Sequence, residues 1–124
     1  QNKEPIWGND FYKALNNSKM GLNLSRGLPT KYYTSNRIAS LMGNGLLTFV
    51  DKKTHLDDMF NHSEVVMYKD IDDLTDKINF YKKNDKLRKK IASLGRKKYF
   101  KMFNELKISN YIINKCLGKK SLLY

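Results

Sequence analysis

Eight polar residues between Asn23 and Arg37 have types and spacings that could do chemistry. Asn23, Ser25 and Arg26 close a short apolar run, Lys31 and Tyr33 lie in the segment after it, and Ser35, Asn36 and Arg37 open an amphipathic stretch that continues through Ser40. Such a set suits an anion, above all a phosphate. The first-turn N–H groups of a helix carry partial positive charge, and arginines such as Arg26 and Arg37 can hold a phosphate oxygen pair with two N–H bonds. Gly27 and Pro29 shape a loop that lets a ligand approach. The competing reading is an ordinary strand-to-helix connection whose arginines are solvated.

The elements that must position these residues lie on either side of them. Met20–Ser25 and Leu46–Val50 read as short buried strands, and Ile38, Leu41 and Met42 recur at helical spacing between them. Thr34 or Ser35 can cap that helix. A strand, a crossover helix and a second strand make a right-handed parallel unit, and ligands of such units bind beyond the carboxyl ends of the strands.

The rest of the chain fits around this unit. Asp10 is expected to cap a first helix carrying Phe11, Ala14 and Leu15. Thr54 with Asp57 reads as a capping box for a short helix that turns Leu56, Met59 and Phe60 inward. Val65–Tyr68 is a third strand, and Asp70 caps a helix whose stripe is Ile71, Leu74, Ile78 and Tyr81. A longer helix bears Leu87, Ile91, Leu94, Tyr99 and Phe103, and a last one bears Ile108, Tyr111, Ile112 and Cys116 and ends at Gly118. The expected class is α/β, a parallel sheet flanked by helices, in one domain over 1–124 with 119–124 as a flexible tail. Three strands are few for such a sheet, so the chain is expected to be a truncated domain.

Charge is unevenly distributed. The net +12 arises almost wholly in residues 81–124, which hold 14 basic and 2 acidic residues. A field of that sign attracts phosphate-bearing partners, and the helix Lys82–Lys101 is the segment that could meet nucleic acid or an anionic membrane. A solvated lysine-rich face is the plainer reading. The single cysteine, Cys116, cannot form an internal disulfide. No apolar run is long enough to span a membrane and no signal-peptide core is present, so a cytoplasmic setting is expected.

Several chemistries are excluded. No GxGxxG follows a strand and no GxxxxGK[ST] occurs. A receiver-type phosphoacceptor site would need acids at the end of the first strand, and there are none. His55, Asp57, Asp58 and His62 lack metal-site spacing. Asp70, Asp72, Asp73 and Asp76 sit where helix caps and dipole partners belong.

The runs SKMGLNLSR, YYTSNRIASLMGNGLLTF and EVVMYKDIDDLTDKINFYKKNDKLRKKIASLGRKKYFKMFN, with LDDMF between the last two, together resemble the C-terminal half of group 1 glycosyltransferases, in the flavour named after a spore-maturation protein. The likeness covers about Phe11 to Ile113. It implies a Rossmann-like domain, the C-terminal half of a GT-B architecture, which binds a nucleoside diphosphate sugar in the cleft against an N-terminal, acceptor-binding domain missing here. It implies that Asn23, Ser25, Ser35, Asn36 and Arg37 line the donor pocket, with Arg26, Tyr33 and Ser40 beside them, and that no metal or other cofactor is held. The sugar passes to a glycan or other acceptor. Peripheral membrane contact is compatible with this reading, and nucleic acid is not its partner. Many relatives carry two glutamates eight residues apart, where this chain has Tyr32 and Ser40. The alternative is a basic interaction module for nucleic acid or anionic membrane, without catalysis.

Overall fold

The computed structural model describes residues 4–25 and 27–121. Three parallel strands, β1 (Met20–Asn23), β2 (Leu47–Asp51) and β3 (Val66–Tyr68), form one sheet in the order β1-β2-β3. Five helices surround it: α1 (Gly8–Asn16), α2 (Asn36–Gly43), α3 (Ile71–Lys83), α4 (Asp85–Met102) and α5 (Glu105–Cys116). The α/β class and the parallel, Rossmann-like sheet expected from the periodicity are therefore present. β1 stops at Asn23, two residues short of its expected end.

Side chains alternate across the sheet, so each strand feeds two cores. Leu47 and Phe49 of β2, level with Met20 and Leu22 of β1, pack against Leu74, Ile78 and Tyr81 of α3 and Ile91 and Ala92 of α4. Val50 takes the opposite face with Ile38 and Met42 of α2, Leu56, Phe60 and Met102. α4 serves both cores because it crosses the start of β3. There Gly95 lies so close that an added Cβ would sit 2.2 Å from the Glu64 carbonyl oxygen and 3.2 Å from Met42 Cε. Arg88, 6% exposed, ties the same helix to β1 by donating from Nη1 to the Lys19 carbonyl, and it pairs with Asp85.

α2 is closed at both ends by local chemistry. Ser35 accepts from the Arg37 N–H. At the other end Gly45, at φ +72, donates to Met42 O and Leu46 donates to Leu41 O, each at 3.0 Å. That is the paired-bond stop that favours a glycine in the left-handed region, and Leu41 and Leu46 also share a small core with Leu15. Gly118, at φ +68, ends α5 in the same way, as its sequence position predicts.

Several expectations are corrected. α1 begins at Gly8 after Trp7, so Asp10 lies in its first turn, 3.3 Å from Lys13, and is not its cap. The helix expected at Thr54 is two 3-10 turns, Lys52–Thr54 and Leu56–Asp58, separated by His55 at φ +52. Thr54 donates its hydroxyl back to Asp51 O at 2.6 Å, so it does not cap the second turn. Leu56 and Phe60 are nonetheless fully buried. Ile71 (78% exposed), Leu87 (41%) and Ile112 (54%), with the exposed Cys116, lie outside the core because the sheet is too narrow to cover their helices' full apolar arcs.

The helix starts and the α4 crossing generate two predictions. Gly95→Ala should destabilise the protein by about 2–3 kcal/mol in urea unfolding followed by circular dichroism, since the Glu64 backbone must move. Acid should loosen α3 and α4 together. Lys77, and then the Lys69 N–H, hold Asp73 below the usual carboxylate range, while Lys89 and Arg88 lower Asp85 to about 2. A depressed folded-state pKa contributes stability above the unfolded value near 3.8 that is lost as pH falls toward 2. Far-UV circular dichroism should therefore show an acid transition, and Asp73→Asn with Asp85→Asn should flatten it.

Candidate functional site

The expected crevice lies at the carboxyl end of β1, where α2 begins. The register sets its floor. Asn23 is level with Val50 and on the same face as Gly21, the face that α2 covers. A Cβ on Gly21 would fall 2.3 Å from Leu41 Cδ2, so α2 lies close over β1. Because α2 leads from the end of β1 back to the start of β2, its first turn lies toward Asn23. Asn23 is fully buried, yet among the described residues neither atom of its amide has a hydrogen-bond partner, and the buried Ser25 hydroxyl also lacks one. Buried polar groups are almost always paired, and these two residues stand out as exceptions among the described residues.

Between them Leu24 offers its carbonyl to Arg37 Nη1 at 2.8 Å, which fixes the guanidinium at the end of the strand. The Ser35 hydroxyl occupies the Arg37 N–H, and Ile38 N–H reaches the Ser35 carbonyl at 3.0 Å, while the Asn36 N–H has no partner among the described residues. A cavity of about 220 Å³ opens against this first turn, with Thr34, Ser35 and Asn36 on one side and Phe60, Tyr99 and Phe103 on the other. The Tyr99 and Phe103 rings stand 5.1 Å apart, and burial raises the Tyr99 phenol above its ordinary value. Sequence spacing marks Tyr99 and Phe103 as core, and only the path of α4 carries them to this mouth.

The Arg37–Leu24 bond thus ties the end of β1, with Asn23 and Ser25, to the start of α2, and of the predicted residues Ser35 and Asn36 line the cavity itself. Arg26 lies outside the described residues. Tyr33 is half-buried beside the tight turn that its N–H closes on Thr30 O. Ser40 donates its hydroxyl to the Asn36 carbonyl within α2 at 3.1 Å.

Tyr32 is placed by features the sequence did not reveal. It sits at φ +60, its N–H reaches Thr54 O at 2.7 Å, and its hydroxyl donates to Asp58 at 2.7 Å, with Lys31 3.8 Å from the same carboxylate. The loop before α2 is therefore clasped to the turns after β2. Among the described residues no three His, Cys, Asp or Glu side chains converge as a metal site, and no helix is long and apolar enough to cross a membrane.

A larger cleft, about 680 Å³, lies elsewhere, along the outer edge of β3 between Lys52, His62, Lys69 and Tyr81. Lys77 on its wall is already committed, to Met67 O at 2.7 Å and Asp73 at 2.8 Å. The smaller opening at α2 is the better candidate because it lies against the expected Ser35 and Asn36, whose N–H group is open among the described residues.

A family model described as glycosyl transferase-like matches residues 1–105. The chain belongs to that family. Membership agrees with the likeness to group 1 glycosyltransferases and ties the chain to glycosyl transfer in general. The match ends at the first residue of α5. No curated protein and no solved structure matches the chain.

The Tyr32 clasp has a testable titration. The hydrogen bond to Asp58 raises the phenol above its ordinary 10, against an opposing effect of Lys31. A raised folded-state value means the clasp is intact below pH 10 and is lost as pH rises through the shifted value. Ultraviolet titration of Asp58→Asn should show one tyrosine ionising at lower pH than in the wild type.

Proposed function

We propose that this chain is the donor-binding domain of a GT-B-type glycosyltransferase, taking a nucleoside diphosphate sugar at the carboxyl end of β1. The single observation that carries the reading is the fully buried Asn23 amide at the end of β1, unpartnered among the described residues. Its unpaired state costs about 1–3 kcal/mol unless a ligand or an ordered water answers it. The open Asn36 N–H and the anchored Arg37 supply positive charge beside it, and family membership supplies the reaction class.

In the reaction an acceptor hydroxyl oxygen bonds to the anomeric carbon as the bond from that carbon to the diphosphate oxygen breaks. The acceptor proton leaves to a base, and the bond pair stays on the diphosphate. Arg37 and the open Asn36 N–H neutralise the charge that grows there, in a site arranged before reaction begins. The acceptor, a glycan or similar hydroxyl compound, is bound mainly by a partner domain, so this chain by itself binds nucleotide without turnover. The donor diphosphate needs no metal in this scheme, since the chain's own cations meet it.

Titration with UDP and GDP followed by amide NMR should shift Asn23, Ser25 and Asn36, and Arg37→Ala should weaken binding about ten- to a hundredfold, the worth of a charged hydrogen bond. Asn23→Leu discriminates further. Because it removes an unpaired buried amide, it should leave unfolding stability unchanged or raise it by up to about 3 kcal/mol while abolishing the shifts. A variant that loses several kcal/mol but still binds nucleotide would overturn the assignment.

A further inference from the structure

We propose that the outer face of α4 is a docking surface for an anionic lipid bilayer. On this helix Lys86, Lys90, Lys97 and Lys101 fall in one row, separated by steps of four, seven and four residues, all exposed. At 1.5 Å per residue the row is about 22 Å long. None of the four has an ion pair or hydrogen bond among the described residues, whereas Asp85, the only carboxylate of the helix, is taken by Arg88 and Lys89. The row lies on the side of α4 opposite Ile91, Ala92 and Gly95, which face the cores, so the charge is held flat and outward by the fold. It does not depend on the nucleotide site, and either reading can fail without the other.

The flanks of the row decide the class of partner. Phe100, 50% exposed, borders it on one side and Leu87, 41% exposed, on the other. Apolar groups beside a lysine row suit the boundary between headgroups and acyl chains, and give a phosphate backbone nothing. Base stacking would need open ring faces, but the Arg96 guanidinium already lies over the Phe100 ring at 5.7 Å. Lysine ammonium groups act as point charges rather than bidentate forks, which fits a diffuse sheet of lipid phosphates.

The test is co-sedimentation of the full chain with vesicles of phosphatidylcholine, alone or mixed with phosphatidylglycerol, over a salt series. The wild type should bind only the mixed vesicles, and added salt should release it. Replacing the four row lysines by Gln should cut partitioning on the order of a hundredfold. An equal charge loss at Lys13, Lys53, Lys107 and Lys119 should cut it by less than about tenfold, because those charges lie on four separate segments outside α4. Circular dichroism should be unchanged in both variants, and Phe100→Ser should weaken binding while keeping its salt dependence. Equal losses in the two lysine variants, no binding to the mixed vesicles, or a preference for mixed-sequence RNA over vesicles would each overturn the proposal.

Discussion

The seating of α2 on β1 at Gly21 is the contact on which the rest of the structure depends. With a side chain at that position, Leu41 of α2 would have to move. The next residue on the same face, Asn23, is shut away from solvent. A strand end with a polar residue is ordinary. A strand end whose amide is sealed under a helix and left unpaired is not, since burial without a hydrogen bond costs free energy that packing must offset. The cost is tolerable in a domain whose two cores are joined through one strand, β2, and reinforced by α4.

α4 shows how one helix can do several things at once. Its inner side contributes Ile91 and Ala92 to one core and Met102 to the other, and Gly95 allows the crossing. Its end delivers Tyr99 and Phe103 to the opening beside α2. Its outer side carries lysines in solvent, where like charges are cheap because water screens them. The helix therefore holds the candidate donor site in shape from one side and presents a cationic face from the other. The link is mechanical only, since the two sides share no charged partner.

Much of this was legible in the chain. The parallel β1–α2–β2 unit comes from two short apolar runs, a helical stripe between them and a Gly45 stop, all local signals. Ser35 as the cap of α2 and Asp70 as the cap of α3 reflect the ability of short oxygen-bearing side chains to accept first-turn N–H bonds. That Asn36 and Arg37 stand at the start of α2 was likewise readable, because it required only knowing where a helix begins.

What the chain alone did not determine lies in contacts between distant segments. Thr54 looked like a helix cap until its hydroxyl found Asp51 O, and the left-handed His55 broke the segment into two tight turns. Ile71, Leu87 and Ile112 have the periodicity of buried residues, yet a three-stranded sheet cannot cover five helices, and periodicity does not count strands. The Tyr32–Asp58 clasp spans 26 residues, and Tyr99 reaches the α2 opening from the far end of the chain. Local propensity dictated which residues could form each element. Which polar groups were sealed, paired or left waiting was settled only when the elements packed, because burial belongs to the assembled layers and not to any one segment.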